Sequence, residues 1–211
     1  MILEANVVRI LGKASSINVR KVLWTCAELD IAFEREDWGG GFRPTHDPAF
    51  LALNPNAMVP VLVDGDVVLW ESNTICRYLA RGDKRLLPRD QPHRAFVEQW
   101  MDWQATELNN AWRYAFMGLV RGSAAHQDPG QIAAGVAGWN HHMAILERQL
   151  EKSGAYVTGS LFSLADIVLG LATNRWRMTP MERPQTPAID AWMKRLQRRP
   201  GCRDYCVNGT P

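Results

Sequence analysis

The character of the chain changes once, near residue 90, and that change sets what it can fold into. Up to Leu79, short β-branched runs alternate with segments of helical period. From His93 to Arg199, 3.6-residue periodicity is almost the only signal. Between them, Gly82 to Pro92 holds two prolines and five charged residues, the composition of a linker. The reading is an α/β unit over 1–81, a linker over 82–92 and an all-helical unit over 93–211. A chain of 211 residues has room for both cores.

In the first unit, residues 6–11 predict a strand. Val19, Val22, Leu23, Cys26 and Leu29 then recur on one face of a helix. A second strand is expected at 31–34, and a Gly- and Pro-rich loop with at most a short helix follows. Two strands, 61–63 and 67–69, flank the turn Asp64-Gly65-Asp66, and a helix follows over 72–79. The order is β-α-β-(α)-β-β-α, a mixed sheet with helices against it. The second unit predicts helices near 93–121, 128–152, 163–177 and 187–199. The third opens on Ser163 and Asp166 at capping-box positions, with Phe162 and Ile167 as a hydrophobic staple, and its apolar circumference predicts burial.

Several function classes are disfavoured. The net charge is +2 with both signs spread along the chain, so nothing demands nucleic acid. No run of 18 apolar residues occurs, and Glu4 and Arg9 interrupt the N-terminus, so neither a membrane span nor a signal peptide is expected, and the protein reads as cytoplasmic. The four cysteines form no C-x-x-C pair and lack nearby histidines, which points to free thiols and no metal. His141-His142 has no partner cluster and reads as a solvated helix face.

Ala14-Ser15-Ser16-Ile17-Asn18 joins the first strand to the first helix. Hydroxyls and backbone N–H groups at a helix start stabilise an anion, and a thiolate is one candidate. A serine there also suits a plain N-cap, so the loop alone leaves both roles open.

Four motifs occur in order: Ser16-x-Asn18-Val19-x-Lys21-Val22, Asn54-Pro55-x-x-x-Val59-Pro60-Val61-Leu62, Trp70-Glu71-Ser72-x-x-Ile75-x-x-Tyr78-Leu79 and Ser163-x-x-Asp166. Together they resemble the cytosolic glutathione transferases, across essentially the whole chain, and most of all bacterial members of the serine type. The resemblance implies a thioredoxin-like N-terminal domain, a homodimer, and reduced glutathione as thiol co-substrate. A glutathione site must hold a carboxylate at each end of the tripeptide and lower the pKa of the thiol between them. Lowering it by about two units takes roughly 2.7 kcal/mol of preferential anion stabilisation.

By that resemblance Ser16 is the first-choice donor to the thiolate, with Ser15 and Asn18 as alternatives. No cysteine lies at 15–18, against the branch that forms mixed disulfides through its own thiol. Met58-Val59-Pro60 is expected to hold the cysteinyl backbone of glutathione next to a cis peptide bond. Glu71 and Ser72 are expected at the γ-glutamyl end, and His46, or Arg43, at the glycyl carboxylate. The second substrate is expected against Asn109, Trp112, Arg113 and Phe116, with Arg175 and Arg177 at the pocket mouth. Arg113 reads as a cation on an otherwise apolar face with neither Glu107 nor Asp102 as a local partner, hence as a ligand for an anionic group in the cleft. The rivals are a glutathione-dependent disulfide reductase or peroxidase without a protein thiol, and a non-catalytic protein that keeps the fold.

Overall fold

The computed structural model describes residues 7–211. Glu4, and Asn6 at the head of the first predicted strand, lie outside the described residues. Strands β1 (Val8–Leu11), β2 (Phe33–Glu36), β3 (Val61–Asp64) and β4 (Val67–Trp70) form one sheet in the order β2-β1-β3-β4. β2 runs parallel to β1, and β3 and β4 are antiparallel additions on its other side. The period of two divides the core. Val8, Ile10 and Leu62 face α1 (Ile17–Leu29) and α3 (Ser72–Leu79), whereas Leu11 and Val61 turn to the other side with Trp38 and Phe50. Phe50 comes from α2 (Pro48–Leu51), a single turn capped by Asp47, in the place where a poor helix was expected.

The second strand starts two residues later than its sequence suggests. Asp30 ends α1 in the left-handed conformation, and the Ile31 N–H returns to Cys26 O at 3.0 Å, so the helix end occupies what reads as the strand's first residues.

In the helical unit, α4 (Gln91–Trp103), a π-turn over 104–108 and α5 (Asn109–Leu119) make one interrupted rod. α6 (Pro129–Ser153), α7 (Leu164–Met178), α8 (Pro187–Leu196) and α9 (Pro200–Tyr205) complete it. The last predicted helix breaks at Leu196 because Pro200 holds Arg199 extended and starts a new turn, α9. Gly201 lets α9 approach α1, since a Cβ there would stand 2.2 Å from the Trp24 ring.

α7 is buried almost all round, as its composition predicts. Asp166 accepts hydrogen bonds from the Ser163 N–H and hydroxyl, the Val157 N–H and Trp192 Nε1, so the expected capping pair is also a cross-link between segments. A second buried acid, Glu147 of α6, accepts the Ala188 and Ile189 N–H groups at 2.8 Å each and closes the N-terminus of α8. The two units are joined at Lys21, whose Nζ donates to Asn73 Oδ1 and Gln104 Oε1, while Asn73 Nδ2 donates to Met101 O.

Candidate functional site

Ser16 stands at the N-cap of α1, and its hydroxyl makes no capping hydrogen bond. The capping role that competes with an active role for a serine here is therefore unused, and the half-buried hydroxyl remains free among the described residues. Ser15 is exposed and Asn18 half-buried, one on each side of it.

The loop that carries Ser16 is pressed against the segment before β3. Gly12, at φ 153°, has Val19 and Val59 so near that a Cβ would lie 2.5 Å from the one and 3.0 Å from the other. Val59-Pro60 is a cis peptide bond. The approach to it is shaped by Asn54, which is buried and donates from Nδ2 to Met58 O at 2.7 Å, while its Oδ1 accepts the Asn56 N–H at 3.0 Å. The Asn-Pro-Asn motif thus has a local reason: it fixes the loop that presents Val59. Met58 is 63% exposed and Val59 half-buried.

Glu71 precedes α3 at φ 69°, ψ 109°, a conformation that sequence patterns do not reveal. Non-glycine residues held at such angles cost about 1–3 kcal/mol and concentrate at ligand clamps. Its strain turns the chain sharply from β4 into α3, leaving Glu71 exposed and Ser72 buried at the helix N-terminus. A carboxylate beside free helix N–H groups suits a ligand end that bears both an ammonium and a carboxylate. His46 is exposed in the loop before α2. Arg43 is engaged by Glu36 Oε2 at 3.4 Å and lies over the Trp38 ring.

Of the residues expected to line a second-substrate pocket, Trp112 and Phe116 are buried in edge-to-face contact with centroids 5.3 Å apart. Asn109 is half-buried. Arg113 is a correction. It is exposed, so the expectation that a buried, unpaired guanidinium must look to the cleft loses its premise. The buried stripe of this rod is Leu108, Trp112, Ala115 and Phe116, and Arg113, about 100° round from Trp112, lies at its edge.

The cation on that apolar face is Arg175 of α7. It is 5% exposed, with its guanidinium carbon 4.7 Å from the Trp112 centroid and 4.4 Å from that of Phe116. Burial, with Arg20 and Arg121 nearby, pulls it down to about 9. Arg177 instead pairs with Asp190 on the far side of the helix. The sequence named Arg175 only as a residue near the mouth, because its neighbours come from another helix.

The cysteines are all free and buried, with burial pushing Cys26 up to about 12 and Cys76 to about 11. Such thiols are poor nucleophiles. Among the described residues no group of three or more His, Cys, Asp or Glu side chains converges as a metal site would need. No helix among them is long and apolar enough to cross a membrane.

Comparison with known proteins agrees with this fold. Residues 6–81 match the model of the glutathione S-transferase N-terminal domain and residues 129–206 that of the C-terminal domain. The chain is 37% identical over 196 residues, 91% of its length and 94% of the relative's, to glutathione S-transferase GstB of Escherichia coli. A theta class glutathione S-transferase from Xanthomonas axonopodis pv. citri, solved with glutathione bound, superposes with a TM-score of 0.90 at 37% identity, covering 96% of this chain and 98% of that one. The disulfide-bond oxidoreductase YfcG of E. coli is 29% identical, with 82% of each chain covered. The chain belongs to the glutathione S-transferase family.

Proposed function

We propose that this protein is a glutathione transferase of the serine type, in which Ser16 donates to the glutathione thiolate as it attacks a small electrophilic carbon. The observation that carries the reading is the Ser16 hydroxyl, placed at a helix N-terminus and spent on no internal hydrogen bond. A donor aimed at the thiolate, with the helix dipole behind it, stabilises the anion more than the thiol and so supplies the preferential stabilisation that ionisation needs. The backbone at Met58-Val59, next to the cis Val59-Pro60 bond, offers strand-like pairing to the cysteinyl residue. Glu71 and Ser72 take the γ-glutamyl ammonium and carboxylate, and His46 the glycyl carboxylate. Ser15 and Asn18 are the alternative thiol donors.

The same reading assigns the protein to detoxification in the cytoplasm, with no metal, nucleic acid or membrane partner. A homodimer is part of it, supported by the exposed apolar residues Phe42, Val67, Val68 and Trp70 on the sheet unit. Light scattering of the purified chain tests that point.

A second reading, a disulfide reductase using two glutathione molecules, is favoured by the likeness to YfcG and by the absence of a reactive protein thiol. Comparing turnover of a small disulfide with that of an aryl or alkyl halide separates the two. Calorimetric titration with glutathione, joined to thiolate absorbance at neutral pH, tests both against a non-catalytic protein. A chain that binds no glutathione excludes the whole proposal.

A further inference from the structure

Three arginines converge below the start of α1, and no Asp or Glu side chain among the described residues pairs with any of them. Arg20, one turn after Ser16, is 1% exposed and donates to Tyr205 O, Asn208 Oδ1, Thr210 O and Pro211 O of the closing segment. Thr210 O also accepts from Asn174 Nδ2 at 3.1 Å, which places Asn174, and Arg175 after it, beside Arg20. Arg121 lies at the rim, exposed, with its guanidinium 5.4 Å from the Phe116 centroid. Phe116 therefore carries two guanidinium groups, and Trp112 shares one of them.

Arg20 has acceptors for its charge; Arg175 has none. Its Nε is buried without a hydrogen-bond partner, and no acceptor or carboxylate among the described residues engages the rest of the group. Aromatic faces recover only part of what a guanidinium loses on leaving water, and two neighbouring cations add to the deficit. A planar fork of donors without a protein acceptor, set on two apolar rings, matches a carboxylate attached to an apolar body.

We propose that Arg175, backed by Trp112 and Phe116 and assisted by Arg121 at the rim, is an anion subsite of the second-substrate pocket, and that the electrophile this protein takes carries a carboxylate. The inference rests on the glutathione transferase reading for where the thiol lies. Arg20 stands one turn, about 6 Å along the axis, from Ser16, and Arg175 is near enough to Arg20 for the two charges to repel, so the arginines lie towards the start of α1, where that reading puts the thiol. In the reaction the thiolate sulfur forms a bond to the electrophilic carbon, the carbon–halogen bond breaks, and halide leaves with the bonding pair. The carboxylate takes no part and only positions the carbon.

The test compares 4-(chloromethyl)benzoate with benzyl chloride, which share a leaving group and differ in the anion. The wild-type chain should prefer the carboxylate by tenfold or more in kcat/KM, R175M should lose at least tenfold of that ratio, and R121Q a smaller part. No preference in the wild type, or the same preference in R175M, overturns the proposal. An inert pair, 4-methylbenzoate and 4-methylbenzamide, is titrated by calorimetry into the glutathione-saturated protein. Selective binding of the benzoate by the wild type, weakened at least fivefold by R121Q, supports the subsite even if R175M does not fold or neither chloride is conjugated. Equal or absent binding of the pair overturns it. Loss of conjugation with benzoate binding retained would count against the transferase reading alone.

Discussion

Lys21 Nζ donates to Gln104 Oε1 at 2.7 Å, so a lysine of the first helix and a glutamine in the π-turn form a buried bond between the two units. Its second acceptor, Asn73 Oδ1, is neutral as well. Burial, the largest influence, pushes this ammonium down from 10.5 to about 8. Between those values the unfolded chain holds more protons at this group than the folded one, so stability rises with pH across the window and gains nothing from it below pH 8. The shift corresponds to about 3 kcal/mol at most. In urea unfolding between pH 8 and pH 10 the wild type should gain stability relative to K21M as pH rises, the difference isolating Lys21 from the raised Cys26 and Cys76 thiols, which act in the opposite direction. Parallel profiles would contradict the assignment.

Ser16→Ala should raise the pKa of bound glutathione and lower turnover by about 10- to 1000-fold, while glutathione affinity changes little, because the lost donor serves the thiolate more than the thiol. Thiolate absorbance measured against pH reads it directly. An unshifted titration would move the role to Ser15 or Asn18.

Ser72→Ala and Glu71→Ala should each weaken glutathione binding by about 1.5–3 kcal/mol, the scale of a charge-assisted hydrogen bond. Calorimetry on the two variants checks it. Glu71→Gly carries a second signature: with the φ of 69° no longer strained, the fold should gain stability while the ligand is lost. Unchanged affinity in all three would place the γ-glutamyl end elsewhere.

Asp166→Ala should cost about 3–5 kcal/mol, more than the roughly 1 kcal/mol of a cap alone. It leaves the Val157 and Ser163 N–H groups and Trp192 Nε1 without their buried acceptor. The denaturation midpoint should fall steeply. A lowered activity with the midpoint unmoved would show that Asp166 acts on the site instead.

Much of this protein is written locally. The helix over 72–79 has the same bounds in the structure, and the hairpin about Gly65 and the capping pair of Ser163 and Asp166 form where their spacing puts them. Each depends on neighbours within a few residues: a turn dipeptide, a cap, a period. The motif at 54–60 was legible as a motif, but its cause was not, since the bond from Asn54 to Met58 O exists only once the loop is closed.

What the sequence determined by itself was therefore the order of most elements and the change from a mixed sheet with helices to an all-helical unit. What only the tertiary structure decided was which side chains are free and which are buried together. Ser16 is a cap in pattern and an unspent hydroxyl in space. Arg113 follows Trp112 on the same helix, yet it lies at the edge of the buried stripe and is exposed. Arg175, distant in sequence, takes that place because α7 packs its side chain onto rings carried by α5. The cost of a buried charge depends on every group around it, and those groups are assembled from across the chain by folding.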